Sequence, residues 1–175
     1  MSKQSAQSRR QEREKERQRR RQQTIIVAII AVAVVIFGLV LVSNLPAEAP
    51  IPEDLGAAYA EIPQGRNDDG FPRLGAADAP VALVEYSSFS CPACATFHDE
   101  IFPQLLDRIR SGQVSFTFIP LLTGGVSNPE GAARASLCAL DQGKFWEAHD
   151  LLFSWHGQFA NTAFSSQRLS SAAEG

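Results

Sequence analysis

Two cysteines three positions apart, Cys91 and Cys94, with Pro92 and Ala93 between them, are the residues best placed to do chemistry. A Cys-x-x-Cys pair suits three uses: a redox dithiol, half of a metal site, or a short structural disulfide. A disulfide closing so short a loop would constrain the unfolded chain little. A structural zinc site usually needs four ligands, often from a second paired motif. His98 stands four residues after Cys94 and could share its helix face, but Cys138, His149 and His156 supply no second pair with zinc spacing. The redox use is therefore favoured, and neither a metal nor another cofactor is expected.

The surroundings sharpen that expectation. The first cysteine follows an apolar run, Val81 to Tyr86, and opens a helical pattern. Unpaired backbone N–H groups and the helix dipole stabilise negative charge there, so Cys91 should be the attacking thiolate. Pro92 has no N–H to leave unsatisfied and presets helical φ. Cys94, one turn on, should be the more buried, resolving thiol. Glu85 is an acid inside the apolar run. It either relays a proton to or from Cys94, with burial raising its pKa, or makes a polar contact or salt bridge. Cys138, beside Leu137 and Leu140, is read as a small buried apolar residue, and His98 as a helix-surface residue. Phe89, Phe97, Phe145 and Trp146 are read as core or groove lining.

The elements that must position the pair can be traced outward. Val81 to Tyr86, after the turn signal Asp78-Ala79-Pro80, suits a strand buried on both faces. Ile101, Phe102, Leu105, Leu106 and Ile109 form an amphipathic helical face, which Pro103 should kink or split and Gly112 should end. Val114, Phe116 and Phe118 alternate with Ser115 and Thr117, predicting a strand closed by Pro120. Strand, helix and strand of these lengths suggest a parallel βαβ unit. Asn128 as N-cap and Pro129 open a helix running to about Gln142, with Gly143 as its terminator. A second helix should run from about Lys144 to Trp155 and end near Gly157, and "SSQRLSSAAEG" begins a third.

Charge divides the 175 residues sharply. Up to Gln23 nine Lys/Arg and three Glu give +6, and the remainder carries −9. Between the two parts lies an apolar segment, residues 24–42. Its eighteen uncharged residues from Ile25 would rise about 27 Å as a helix, close to the thickness of a bilayer core. A buried core helix would keep some polar face. A cleaved signal peptide would have a shorter apolar core, although Ala47-Glu48-Ala49 has the small-x-small look of a cleavage site. A retained anchor fits best. The basic flank puts the N-terminus in the cytoplasm and the rest outside. So placed, it reads as a topology and lipid-contact signal rather than a nucleic-acid site. Residues 1–23 are then a basic cytoplasmic tail, disordered or loosely helical. Residues 43–73, rich in Pro and Ala, read as an extended extracytoplasmic linker, and a folded domain occupies residues 74–175.

The segments "LGAADAPVALVEYSSFSCPACATFHDEIFPQL" and "GKFWEAHDLLF" resemble the DsbA-like branch of the thioredoxin superfamily, over about Leu74 to Trp155. The resemblance implies an α/β, thioredoxin-like fold, with a helical insertion beginning near residue 128, preceded here by the transmembrane helix. It implies an extracytoplasmic thiol–disulfide oxidoreductase that introduces disulfides into exported proteins. Cys91 would be its nucleophile, Cys94 its resolving cysteine, and Glu85 the family's acid near the site. The implied partners are reduced or unfolded exported proteins and a membrane quinone-linked thiol oxidase. Strongly oxidising members often carry histidine where this chain has Ala93, so a reductase or isomerase is the alternative. Members also continue past the insertion into further strands and a cis-proline loop that packs on the disulfide. On that pattern the chain is expected to be a C-terminally truncated form. From another class of function, a non-catalytic thioredoxin-like binding module is the remaining alternative.

Overall fold

Val114–Pro120 (β4) is the strand around which the sheet is built. A computed structural model describes residues 2–43, 49–125 and 128–174, in two units: the N-terminal helix and the remainder.

The first unit is one continuous helix, Ser2–Ser43 (α1). Its segment Lys15–Ser43 is long and apolar enough to cross a membrane. The apolar side chains of that segment are exposed, Phe37 and Leu39 each by 65%. A helix satisfies its own backbone hydrogen bonds, which a lipid environment demands. The basic tail, expected to be disordered or loosely helical, continues the same helix back to Ser2.

In the second unit the sheet order is β1-β2-β4-β3, with Gln64–Arg66 as β1, Pro72–Leu74 as β2 and Val81–Ser87 as β3. β3 and β4 run parallel, from Val81 opposite Val114 to Ser87 opposite Pro120. β2 pairs antiparallel with both β1 and β4. The expected parallel βαβ unit is present, but the burial of β3 differs from the expectation. β3, whose apolar run suggested burial on both faces, lies at the sheet edge among the described residues and exposes Val81, Val84 and Tyr86. β4, although Ser115 and Thr117 alternate with its apolar residues, is buried from Val114 to Phe118. It is flanked by a strand on each side, and Ser115 and Thr117 are buried along with its apolar residues. The pattern of residue types reported polarity faithfully, but sheet position decided exposure.

The helical crossover begins as Pro92–Thr96 (α2), widens into a π-turn over Phe97–Ile101, and resumes as Phe102–Arg110 (α3). Pro103 accounts for the break. It has no N–H, and its ring would strike the carbonyl four residues back. The ladder shifts by one residue just before it, and the Phe102 N–H donates to the Phe97 carbonyl. Phe102 and Ile109 are buried by this arrangement.

The proline-rich stretch is not an extended linker over its described residues, 49–73. Tyr59 and Ile62 are buried in the core. Trp155 Nε1–H donates to the Pro50 carbonyl at 3.1 Å, and β1 and β2 come from this stretch. Two strands of three residues are too short to show a period, so composition alone misled. Residues 44–48, including most of Ala47-Glu48-Ala49, lie outside the described residues.

Pro129–Asp141 (α4), Phe145–Phe159 (α5) and Ser166–Glu174 (α6) form the helical part. Asn128 caps α4 as expected, its Oδ1 accepting from the Gly131 N–H at 3.1 Å. Gly143, at φ 71°, ends it. α5 runs past Gly157, because nothing there interrupts its backbone. Its buried residues include Phe145, Trp146, His149, Leu152, Phe153 and Trp155, which join Phe89, Phe102, Phe116 and Phe118 in one aromatic core.

Candidate active site

Cys91 is the N-cap of α2, with extended backbone at φ −96° and ψ 120°. Its N–H donates to the Ser88 carbonyl and its carbonyl accepts from the Ala95 N–H, both at 3.0 Å. Pro92 takes the first helical position, where a missing N–H costs nothing. Ala93 is exposed and adds no side-chain polar group. All three cysteines are free thiols.

The two thiols of the pair are driven in opposite directions. The Cys91 pKa is lowered by hydrogen bonding from the Cys94 thiol, then from the Cys94 N–H, against a small desolvation cost, and from the Ala93 N–H. The two N–H donors are orphan groups of the helix start. Cys94 packs against the core. Burial raises its pKa, while the Ser87 hydroxyl and the Ser88 N–H oppose the rise.

Glu85 is half-buried rather than fully enclosed, because β3 is an edge strand. Leu83, Glu85 and Ser87 share the better-buried face of β3; Ala82, Val84 and Tyr86 share the exposed one. Burial raises the Glu85 pKa, opposed by the Ser87 hydroxyl and by His98.

His98, expected at a helix surface, is half-buried and stacks on Phe153 with ring centroids 4.6 Å apart. Its Nδ1 is 3.0 Å from Asp99 Oδ1 and its Nε2 is 3.0 Å from Asp150 Oδ1. The same Asp150 oxygen accepts from the Tyr59 hydroxyl at 2.6 Å and lies 3.0 Å from His149 Nδ1. Burial pulls the His98 pKa down, but the two carboxylates outweigh it and raise it. His149 is held below the ordinary imidazole value by burial. Burial alone would raise the Asp150 pKa, but its three donors bring it well below the usual carboxylate range.

His98, His149 and Asp150 also offer ligand atoms within 4.8 Å of one another. A carboxylate only accepts hydrogen bonds, so both rings must present N–H groups to it rather than the lone pairs a metal needs. The cluster reads as a satisfied hydrogen-bond network. It links the active-site crossover, α5 and the segment around Tyr59. The sequence signals for it, a histidine one turn after Cys94 and "HD" in α5, were visible but pointed to no pairing. Cys138 is exposed, contrary to the buried reading, because α4 buries Ala132, Ala133 and Ser136 on another face.

The loop after β4 closes against the strand leading into Cys91. The Gly125 N–H donates to the Ser90 carbonyl at 2.9 Å. Gly124 adopts φ +145°, and a Cβ there would lie 2.5 Å from Ser90 Cβ.

A family model described as thioredoxin matches residues 68–174. The chain belongs to the thioredoxin family. It is 37% identical over 86 residues to disulfide bond formation protein D of Bacillus subtilis, covering 48% of this chain and 39% of that protein. It is 37% identical over 82 residues to a probable disulfide bond formation protein D of Bacillus anthracis, covering 46% and 38%. The chain thus spans less than two fifths of the length of these curated thioredoxin-family relatives. Among solved structures, oxidised BdbD from Bacillus subtilis is similar at 34% identity and a TM-score of 0.47, over 54% of this chain and 52% of that one.

Proposed function

We propose that this chain performs thiol–disulfide exchange outside the cytoplasm, with Cys91 as nucleophile and Cys94 as resolving thiol. The observation that carries this is the opposed tuning of the pair: Cys91 is stabilised as thiolate by the Cys94 thiol and then by α2 N–H groups, and burial against the core favours the protonated form of Cys94. Relatives named for disulfide bond formation support the same chemistry.

In the oxidising direction a substrate thiolate attacks Cys91 of the Cys91–Cys94 disulfide, and Cys94 leaves. A second substrate thiol then resolves the mixed disulfide and releases Cys91. Glu85 supplies the proton that Cys94 takes up. A stabilised Cys91 thiolate favours the reduced protein and so makes its disulfide an oxidant. The substrates are reduced or unfolded exported proteins, and a membrane quinone-linked thiol oxidase reoxidises the pair. α1 anchors the domain, with the basic tail in the cytoplasm. Ala93, in place of a polar residue beside Cys94, favours the second reading, a weaker oxidant acting as reductase or isomerase.

Trapping tests the roles. Cys94→Ser should accumulate mixed disulfides through Cys91, and Cys91→Ser should not. Trapping through Cys94 alone would reverse the assignment.

A further inference from the structure

The proton route between Glu85 and Cys94 has a gap that one residue fills. Ser87 stands two residues after Glu85 on the same face of β3 and is completely buried. Its Oγ has no well-aligned hydrogen-bond partner. Buried hydroxyls are normally satisfied, so an unpartnered one calls for a reason. The Ser87 carbonyl accepts from the Leu121 N–H at 2.7 Å, which fixes the end of the strand. From there the hydroxyl acts on both the Glu85 carboxyl and the Cys94 thiol, opposing the burial-driven rise in each. What Glu85 and Cys94 share is this hydroxyl.

We propose that Ser87 is a catalytic residue of the exchange, its hydroxyl passing a proton from the Glu85 carboxyl to the Cys94 sulfur. This rests on the thiol–disulfide exchange reading. When a substrate thiolate attacks Cys91, the new S–S bond forms at Cys91 and the Cys91–Cys94 bond breaks. Cys94 leaves with the electron pair. The Ser87 O–H gives its proton to that sulfur and takes the Glu85 carboxyl proton in the same movement. Ser87 ends neutral, Glu85 ends as carboxylate, and Cys94 ends as thiol. Glu85, half-exposed at the sheet edge, regains its proton from water. The two electrons come from the substrate sulfurs, so no further reductant is required. A hydroxyl suits the task because it donates and accepts at once. The other groups facing the route are His98 beside Glu85, with Asp99 and Asp150 behind it, and Cys91 beside Cys94.

The test uses the full chain in detergent, oxidised at Cys91–Cys94, and reduced in single turnover by dithiothreitol from pH 5 to 9. Rates are divided by the dithiothreitol thiolate concentration. In the parent chain the corrected rate should fall as Glu85 loses its proton. Ser87→Ala should be slower by about tenfold on the acid side and lack that fall. Glu85→Gln should behave alike, and the double variant should be no slower than either. Should Ser87→Ala not fold, Ser87→Thr and Ser87→Val give the same comparison, since they share a shape and differ in the hydroxyl. Thr should keep the pH-dependent limb and Val should lose it. If removing the hydroxyl leaves rate and limb intact while Glu85→Gln loses both, Ser87 is off the route and the exchange reading stands. If Glu85→Gln also changes nothing, the relay is overturned with it. No reaction of the parent disulfide with dithiothreitol overturns the exchange reading and this proposal together.

Discussion

At the scale of single residues, opposed tuning of two thiols one turn apart is the central fact, and its largest contribution comes from within the pair. Cys94→Ala should therefore raise the pH midpoint of Cys91 alkylation by iodoacetamide. The midpoint should still fall short of a free thiol, because the Ala93 and residue-94 N–H groups remain. The Asp150 network predicts a stability profile. The Asp150 carboxyl, held low, contributes stability that is complete above the ordinary aspartate pKa and is lost as pH falls through its lowered value. Buried neutral His149 adds to the acid-side loss, starting below the ordinary imidazole value. His98, held high, contributes stability that is complete below that value and is lost as pH rises through its raised one. Urea midpoints should thus decline at both ends. Asp150→Ala, which strands three donors, should cost about 3 kcal/mol at neutral pH. The cysteines, Pro92 and Glu85 were visible as candidates because their types suit the proposed chemistry. Ser87 was not, since a serine in a strand is unremarkable until its hydroxyl is seen buried without a partner.

At the scale of elements, the position of Cys91 depends on contacts from outside its own helix. Gly124→Ala would place a methyl against Ser90 on a backbone that favours glycine. It should destabilise the domain by about 1–3 kcal/mol and slow Cys91 alkylation measurably as the helix start shifts. Thermal unfolding beside the alkylation rate checks both. The sequence read well where a period was long or a cap was specific: the βαβ unit, the Asn128 cap and the Gly143 stop. It misread the burial of β3, because Val81 to Tyr86 looks the same at a sheet's edge as at its centre. Nothing local to Val114–Pro120 announces that β2 will pair on its far side.

At the scale of the whole molecule, the folded domain begins earlier than composition suggested. A fragment starting at residue 46 should fold, whereas one starting at Leu74 should not. The later start removes Tyr59, Ile62 and two strands, and leaves Trp155 Nε1–H without its acceptor. Circular dichroism melts of the two fragments decide it. The long apolar helix was plain from eighteen uncharged residues, while its neighbouring fold was hidden by prolines that serve short strands and turns. In intact cells, a membrane-impermeant maleimide should label Cys91 and fail to label a cysteine placed at Ser5. The π-turn before Pro103 also sets a phase for everything downstream. Counted in residues, it is an α-helix carrying one extra. Deleting a single residue, Glu100 for example, would let the helix run on more regularly and would look mild in an alignment. It would leave Phe102 and Ile109 close to their present facing, since the π-turn already absorbs about 100° of rotation, but it would set the Pro103 ring against the carbonyl four residues back. The spacing between the cysteines and Pro103 is therefore a frame that tolerates substitution but not a change of count.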